Sequence, residues 1–365
     1  MRKTLMILGL GAVFLAVIDL GVAGMLALAE RTGRAEGLVR YFDYGRSVPG
    51  KLALWQAEPD RRDNLFRVAW RPQSLERSRA AFSDEPVGQT GVLRSYGMSF
   101  VANIVRAAQR ADPELVLDRH GGPAAPPNLT FALFEDDREN RRPGDTVILG
   151  ILSSSVPAMA AFSNRSWAFE QPAPLTYPIY LPEADGLVRI EPLIESEAEE
   201  RALLDDPQAA AAWEAQMAAE DAFHSPITFG GRIFDHSPLL RLIRRSLARS
   251  FVDRTKAGIV EDRTYPYGEV LRRMIRQFSA TARADGQTPI VLLIQGRDRR
   301  DPDLLDITRP ALEADLVPYL ATAQLYDPRD LAGFKPDGHY KREVDAVFGA
   351  ELARMVRTLN AGGAQ

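Results

Sequence analysis

Cysteine is absent from all 365 residues, and histidine occurs only at His120, His224, His236 and His339. The first absence excludes disulfides, thiolate nucleophiles and cysteine-ligated metals. The second leaves four positions for any imidazole base. Basic charge has no concentrated block either: 45 Lys and Arg stand against 49 Asp and Glu, a net charge of −4 with no long basic run. Nucleic acid is therefore not an expected partner. What remains is ordinary globular material, 45% hydrophobic and 26% charged. That is enough for a core in one large domain or two modest ones.

One apolar run is long. Met1-Arg2-Lys3 precedes a mostly apolar stretch from Thr4 to Ala29, interrupted only by Asp19. About 20 apolar residues cross a bilayer, and basic residues in front of them predict a cytoplasmic amino terminus. Residues 1–29 are read as an uncleaved signal anchor, a single pass through the inner membrane with the remaining chain facing the periplasm or exterior. Ala27-Leu28-Ala29 also fits a signal-peptidase site, so secretion after cleavage is the alternative. Residues 30–90, rich in arginine and proline with little periodicity, are expected to form a stem with one or two short helices.

From residue 91 the pattern becomes regular. Apolar runs at Val92–Gly97, Leu115–Leu117, Thr146–Leu152, Ile290–Ile294 and Pro318–Leu325 alternate with helix-forming segments. The latter are Phe100–Arg110, Thr130–Asn140, Gly268–Arg283, Pro302–Ala314 and Glu343–Asn360. Short buried strands alternating with helices predict an α/β domain over 91–360, its parallel sheet covered on both faces. Ligands of such sheets bind at the carboxyl ends of the strands. The interval of about 156–262 breaks the alternation and is expected to be a helical insertion capping those ends. It holds an acidic run (Glu195, Glu197, Glu199, Glu200), an Ala-rich helix over Gln208–Phe223 and a basic helix from Pro238 to Phe251.

Two stretches carry chemistry. Arg94-Ser95-Tyr96-Gly97-Met98-Ser99-Phe100 reads as strand, tight turn and helix start, which puts Ser99 where free backbone N–H groups and the positive helix end converge. A nucleophile needs that setting if an oxyanion forms beside it, although serine is also a common helix cap. Phe334-Lys335-Pro336-Asp337-Gly338-His339-Tyr340 precedes the last helix. Its Asp337 and His339, two apart, project the same way from an extended loop, so the carboxylate can orient the imidazole as a base. The same Pro-Asp-Gly also suits a plain polar turn.

A serine after the first strand and an Asp-x-His before the last helix resemble the SGNH (GDSL-type) hydrolase family over about residues 91–358. The resemblance implies a three-layer, flavodoxin-like parallel sheet, Ser99 as nucleophile, His339 as base and Asp337 as its partner. It also implies that Gly122, in His120-Gly121-Gly122-Pro123, donates to the oxyanion, and that Gly150 is the glycine of the third block. Two departures stand out: Met98 replaces the family's aspartate before the serine, and the third block's asparagine is missing, with Leu152-Ser153-Ser154-Ser155 in its place. Ser153 or Ser154 is the expected substitute donor. The implied activity is that of a serine esterase or O-acyltransferase acting on an acylated carbohydrate of the cell surface or an exported polysaccharide. It needs no cofactor and no metal. The alternative is a catalytically silent domain of the same fold that binds glycan or scaffolds an export complex.

Other motifs are read as structural. Glu135-Asp136-Asp137 and the acidic run are taken as solvated helix faces, Gly230-Gly231 lacks the company of a phosphate loop, and His224 and His236 lack metal spacing. Asn128-Leu129-Thr130 matches a glycosylation acceptor, and Tyr265-Pro266-Tyr267 is expected to be a packed turn.

Overall fold

A computed structural model describes residues 2–58, 64–65, 70–82, 91–184 and 186–362. Strands β1 (Leu93–Gly97), β2 (Leu117–Gly121) and β3 (Thr146–Leu152) are followed by β4 (Ile179–Glu183) and β5 (Gly186–Ile190), then β6 (Thr288–Ile294) and β7 (Tyr319–Ala321). Five of them form an all-parallel sheet in the order β2-β1-β3-β6-β7, and β4 and β5 form a separate antiparallel pair. β1, β3 and most of β6 are buried, as the apolar runs require of a sheet covered on both faces.

Neighbouring residues of β1 show that cover. Tyr96 meets Phe134 of the Pro127–Asp136 helix edge-on, with ring centroids 5.6 Å apart. Gly97, on the opposite face, lies against Val101 of the Ser99–Ala111 helix. Gly150 of β3 meets the same valine: a Cβ there would stand 2.2 Å from Val101 Cγ2, and one on Gly97 would stand 2.4 Å away. The two glycines let the helix approach until its first turn stands over the end of β1. Phe278, from the Tyr267–Ala284 helix, packs on Phe134 and extends the other layer.

Several boundaries differ from the sequence reading. β2 starts at Leu117 and continues through Asp118-Arg119-His120, because its alternation is buried polar against exposed polar, which a search for apolar runs passes over. β7 stops at Ala321, and Thr322–Leu325 turns into a helix. The expected helical insertion is helical only in part. Ile179, Val188 and Ile190 pair in the β4–β5 hairpin, where β-branched side chains fit the pleated surface.

Nor is the expected stem a simple linker, although its residues 59–63, 66–69 and 83–90 lie outside the described ones. The chain divides into two compact units, Met1–Phe66 with Ser163–Pro174 and Met217–Thr255, and Arg67–Phe162 with Leu175–Gln216 and Lys256–Gln365. In the first unit the Val48–Ala57 helix buries Val48, Leu52 and Trp55 against Phe169 and Ala248. Ser47 caps that helix at the Gly50 N–H, while its hydroxyl donates to Asp235 at 2.6 Å. The Arg2–Thr32 helix belongs to this unit and is long and apolar enough to cross a membrane.

The tight packing at Val101 predicts a position-specific cost. Gly150→Ala is expected to lose about 1–3 kcal/mol of unfolding free energy through overpacking. Gly186→Ala, which meets nothing within 4 Å, is expected to be neutral or slightly stabilising. Urea midpoints of the two variants beside the parent chain measure the difference.

Candidate functional site

Ser99 is the first residue of its helix, after Met98 in extended backbone, and its side chain is exposed. First-turn N–H groups of a helix have no intrahelical acceptor, so the Ser99 and Phe100 amides are available beside the hydroxyl. His339, 240 residues further on, reaches it: Ser99 Oγ and His339 Nε2 are 2.6 Å apart. On its other side, His339 Nδ1 lies 3.3 Å from Asp337 Oδ1, which also accepts the His339 backbone N–H at 3.1 Å. That backbone hydrogen bond holds the Asp337 carboxyl below its ordinary value, and the His339 ring adds to the effect. Asp337 keeps 64% of its side-chain surface exposed, so its hold on the ring is geometric more than electrostatic.

The loop bearing Asp337 and His339 is fastened at several points. Phe334 and Tyr340 form an antiparallel bridge, and Lys335 N–H donates to the His339 carbonyl at 2.7 Å. Gly338 turns the chain with φ +93°, a conformation that favours glycine. Arg297, beyond β6, donates to the carbonyls of Lys335 at 3.2 Å and Pro336 at 3.1 Å. Tyr340 OH donates to the Gln295 carbonyl at 2.5 Å, tying the loop to the end of β6. Phe100 stacks on the His339 ring at 4.6 Å and 20°, which limits its rotation. Arg297 belongs to no motif, and Phe100 reads only as the end of the Ser99 stretch; the contacts of both with this loop come through folding alone.

Of the oxyanion candidates, Gly122 lines the same groove as Ser99, a cavity of about 810 Å³. Gly150 is not brought there. It lies inside β3, two residues before the strand end, and serves packing against Val101. Ser153 is buried and committed elsewhere: its hydroxyl donates to Asp301 at 3.1 Å and accepts the Gly296 N–H at 2.8 Å. Ser154 is exposed, with no side-chain hydrogen bond among the described residues.

Beneath the groove lies a buried polar network. Arg94 bonds Asp145 at 2.8 Å and Asp118 at 2.6 Å, Ser78 donates to Asp118, and His120 Nε2 lies 2.9 Å from Asp118. Tyr96 OH donates to Asp137 at 2.6 Å and stacks on His120. Burial alone would raise the Asp118 carboxyl, but hydrogen bonds from His120 and Ser78 and the Arg94 charge hold it below its ordinary value. Asp118, His120 and Asp137 are the one group among the described residues with the composition and closeness of a metal site. Their oxygens already accept from Arg94, Ser78, Tyr96 and Asn140. The set therefore works as a satisfied network that fixes the strand ending at Gly121, directly before Gly122.

The acids read as solvated are structural. Asp137 is fully buried, Glu135 accepts Tyr180 OH, and Asp136 accepts both Arg71 and Arg189. In the acidic run, Glu199 forms a capping box with Ser196, and Glu200 is buried. Asn128 is also buried, donating to the Pro178 carbonyl, which removes it as a glycosylation acceptor. Tyr265 is packed as expected, its hydroxyl on the Tyr180 carbonyl. His224 and His236 belong to the other unit from Ser99.

No family model, curated protein or solved structure matches this chain.

Burial pushes the Asp301 carboxyl up to about 6, against a lowering hydrogen bond from Ser153. An acid whose folded value is raised keeps its full contribution below its unfolded pKa and loses it as pH rises through the folded value. Between pH 4 and 7 the folded chain is expected to lose at most about 3 kcal/mol at this residue. Asp301→Asn removes that part of the loss and leaves the share from Asp345, which burial also raises to about 6. Unfolding midpoints of parent and variant at pH 4 and pH 7 test it. A parent and an Asp301→Asn chain with the same pH slope contradict it.

Proposed function

We propose that this chain is a serine esterase or O-acyltransferase of the SGNH type, anchored in the inner membrane by its first helix and acting outside the cytoplasm. The observation that carries the reading is the relay Asp337–His339–Ser99, with Ser99 Oγ 2.6 Å from His339 Nε2 at the mouth of a groove. Ser99 attacks an ester carbonyl and gives its proton to His339 Nε2. Asp337 keeps Nδ1–H pointed away and stabilises the imidazolium. The Ser99 amide at the helix start and the Gly122 amide across the groove receive the oxyanion. Collapse of the tetrahedral intermediate breaks the bond to the leaving alcohol, which takes the proton back from His339. Water or a second hydroxyl then repeats the steps in reverse and frees Ser99. The five-stranded order, counted in sheet sequence as 2-1-3-4-5, is the flavodoxin-like one and supports the family reading. By that analogy the substrate is an O-acylated, in first place O-acetylated, carbohydrate of the cell surface or an exported polymer.

One observation favours the silent, glycan-binding alternative. Ser153 is held by Asp301 and Gly296, so its hydroxyl does not stand in for the family's asparagine. Loss of one oxyanion donor lowers kcat by roughly 10²–10³ without abolishing turnover, which leaves a slow enzyme as the favoured reading.

Ser99→Ala and His339→Ala are each expected to lower kcat on a short-chain nitrophenyl ester by about 10⁴ or more. The double variant should fall within a few-fold of either single one, because the pair acts as a unit. Fluorophosphonate labelling of the parent should be lost in Ser99→Ala. Undiminished turnover in Ser99→Ala would remove the serine mechanism.

A further inference from the structure

The groove at Ser99 carries charge that the relay does not use. Arg77, Arg106 and Arg119 line it from three elements, the Arg71–Phe82 helix, the Ser99–Ala111 helix and β2. All three are exposed, and none has a carboxylate within ion-pair distance among the described residues. The one acid among the described lining residues, Asp118, is buried and already paired with Arg94. Burial and the neighbouring Arg106 charge lower the pKa of Arg119, so two like charges are held near each other. A surface that keeps unpaired cations together beside a nucleophile suits an anion, since guanidinium forks bind carboxylates in two-point, charge-assisted fashion.

We propose that this groove binds an acidic oligosaccharide, its uronic-type carboxylates paired with Arg77, Arg106 and Arg119 while an O-acyl group reaches Ser99. The acyl part rests on the esterase reading; the binding part does not. The test separates them by measuring binding on the full-length Ser99→Ala chain in detergent micelles. Calorimetry compares acetylated oligogalacturonate with acetylated xylo-oligosaccharide of equal length. The acidic ligand should bind about tenfold tighter or better, weaken with added salt, and lose about tenfold or more in Arg106→Gln/Arg119→Gln. Equal affinity for the two sugars, or no effect of the arginine substitutions, overturns the proposal. So does tighter binding of single-stranded DNA than of the oligouronate. Turnover on the parent is scored separately. Arginine-dependent binding without turnover retires the esterase reading alone, and turnover without acid preference retires the groove proposal alone.

Different residues carry a second inference, within the unit that contains the apolar helix. Asp19, the one charged residue inside the apolar run, accepts the Leu239 backbone N–H at 2.7 Å. It thereby caps the Pro238–Val260 helix at its free N–H end. From there on, the Arg2–Thr32 helix has one covered face, at Asp19, Val22, Ala23, Leu26 and Ala29, whereas residues 3–18 are exposed all round. Thr4 to Ile18 span only about 22 Å, short of the roughly 30 Å of bilayer hydrocarbon. The missing thickness places Asp19 and the helix start it caps inside the apolar layer. Near that helix start the unit exposes a set of apolar side chains, with Arg232 and His236 exposed in the same turn. Ile233 is 75% exposed, Phe234 stands exposed beside it, and Leu240, Ile243 and Leu247 form an exposed stripe at helical spacing.

We infer that this stripe and the Ile233-Phe234 turn are immersed in lipid alongside the anchor helix. The inference rests on the anchor reading. Because the chain has no cysteine, one introduced thiol is unique. Full-length Ile243→Cys, Leu247→Cys and Leu331→Cys chains are labelled with an environment-sensitive fluorophore and reconstituted in phospholipid vesicles; Leu331 is an exposed leucine of the other unit. Labels at 243 and 247 should be quenched by nitroxide-bearing acyl chains and shielded from aqueous iodide, and the label at 331 the reverse. Labels at 243 and 331 with the same quenching pattern overturn the inference. So does shielding at 243 that vanishes on dilution of protein in lipid, which would assign the stripe to a second copy. Release of the chain by alkaline carbonate instead overturns the anchor itself, and the inference with it.

Discussion

Val101 is wedged between two strands, and the candidate site depends on that contact. Its side chain fills the space left by the missing Cβ atoms of Gly97 and Gly150. Any larger residue at either strand position would lift the Ser99–Ala111 helix and shift its first turn, which carries Ser99 and Phe100. Close packing of this kind is stiff, because an interior at crystal-like density transmits a displacement instead of absorbing it. Ser99 thus owes its position to residues two and 51 places away.

The partner loop is built on the opposite logic. His339 and Asp337 are exposed enough that burial does not hold them, so hydrogen bonds to the backbone do. Arg297 binds two successive carbonyls ahead of Asp337, and Tyr340 reaches the Gln295 carbonyl at the end of β6. Both anchors come from the chain just after β6, so one strand end sets the position of His339. Ser153, bonded to the Gly296 N–H, ties the end of β3 to that same segment. The Ser153 hydroxyl thus joins two strand ends.

Buried charge is arranged with the same economy of partners. Arg94 lies between Asp145 and Asp118, each of which has further donors, so the buried guanidinium is matched on both sides. A buried ion pair adds little net stability, yet removing one partner is costly, which makes such a network a strong constraint on the strands that carry it. β1 and β2 are joined through it, and Gly122 follows directly from β2.

The sequence by itself determined most local elements and the order in which the candidate site residues follow one another. Apolar runs and helix-forming segments marked β1, β3 and β6 and the helices that follow β1 and β6, because burial on both faces leaves a continuous apolar signature. Ser99 before a helix and Asp337-Gly338-His339 before the last one were legible for the same local reason: caps and turns are written in adjacent residues. Tertiary structure alone decided what lies far apart in sequence. It brought Ser99 to His339, set Phe100 against the ring, gave Arg297 its two carbonyls, and buried Asp118, His120 and Asp137 together. It also drew residues 36–57 out of the expected stem into a unit with Phe169 and Ala248. Ser153 and Gly150 show the limit most plainly. Both are expected from the sequence at the candidate site, yet one hydroxyl turns to Asp301 and one glycine to Val101. Which neighbour a side chain meets depends on packing between strands and helices, and no local pattern encodes that.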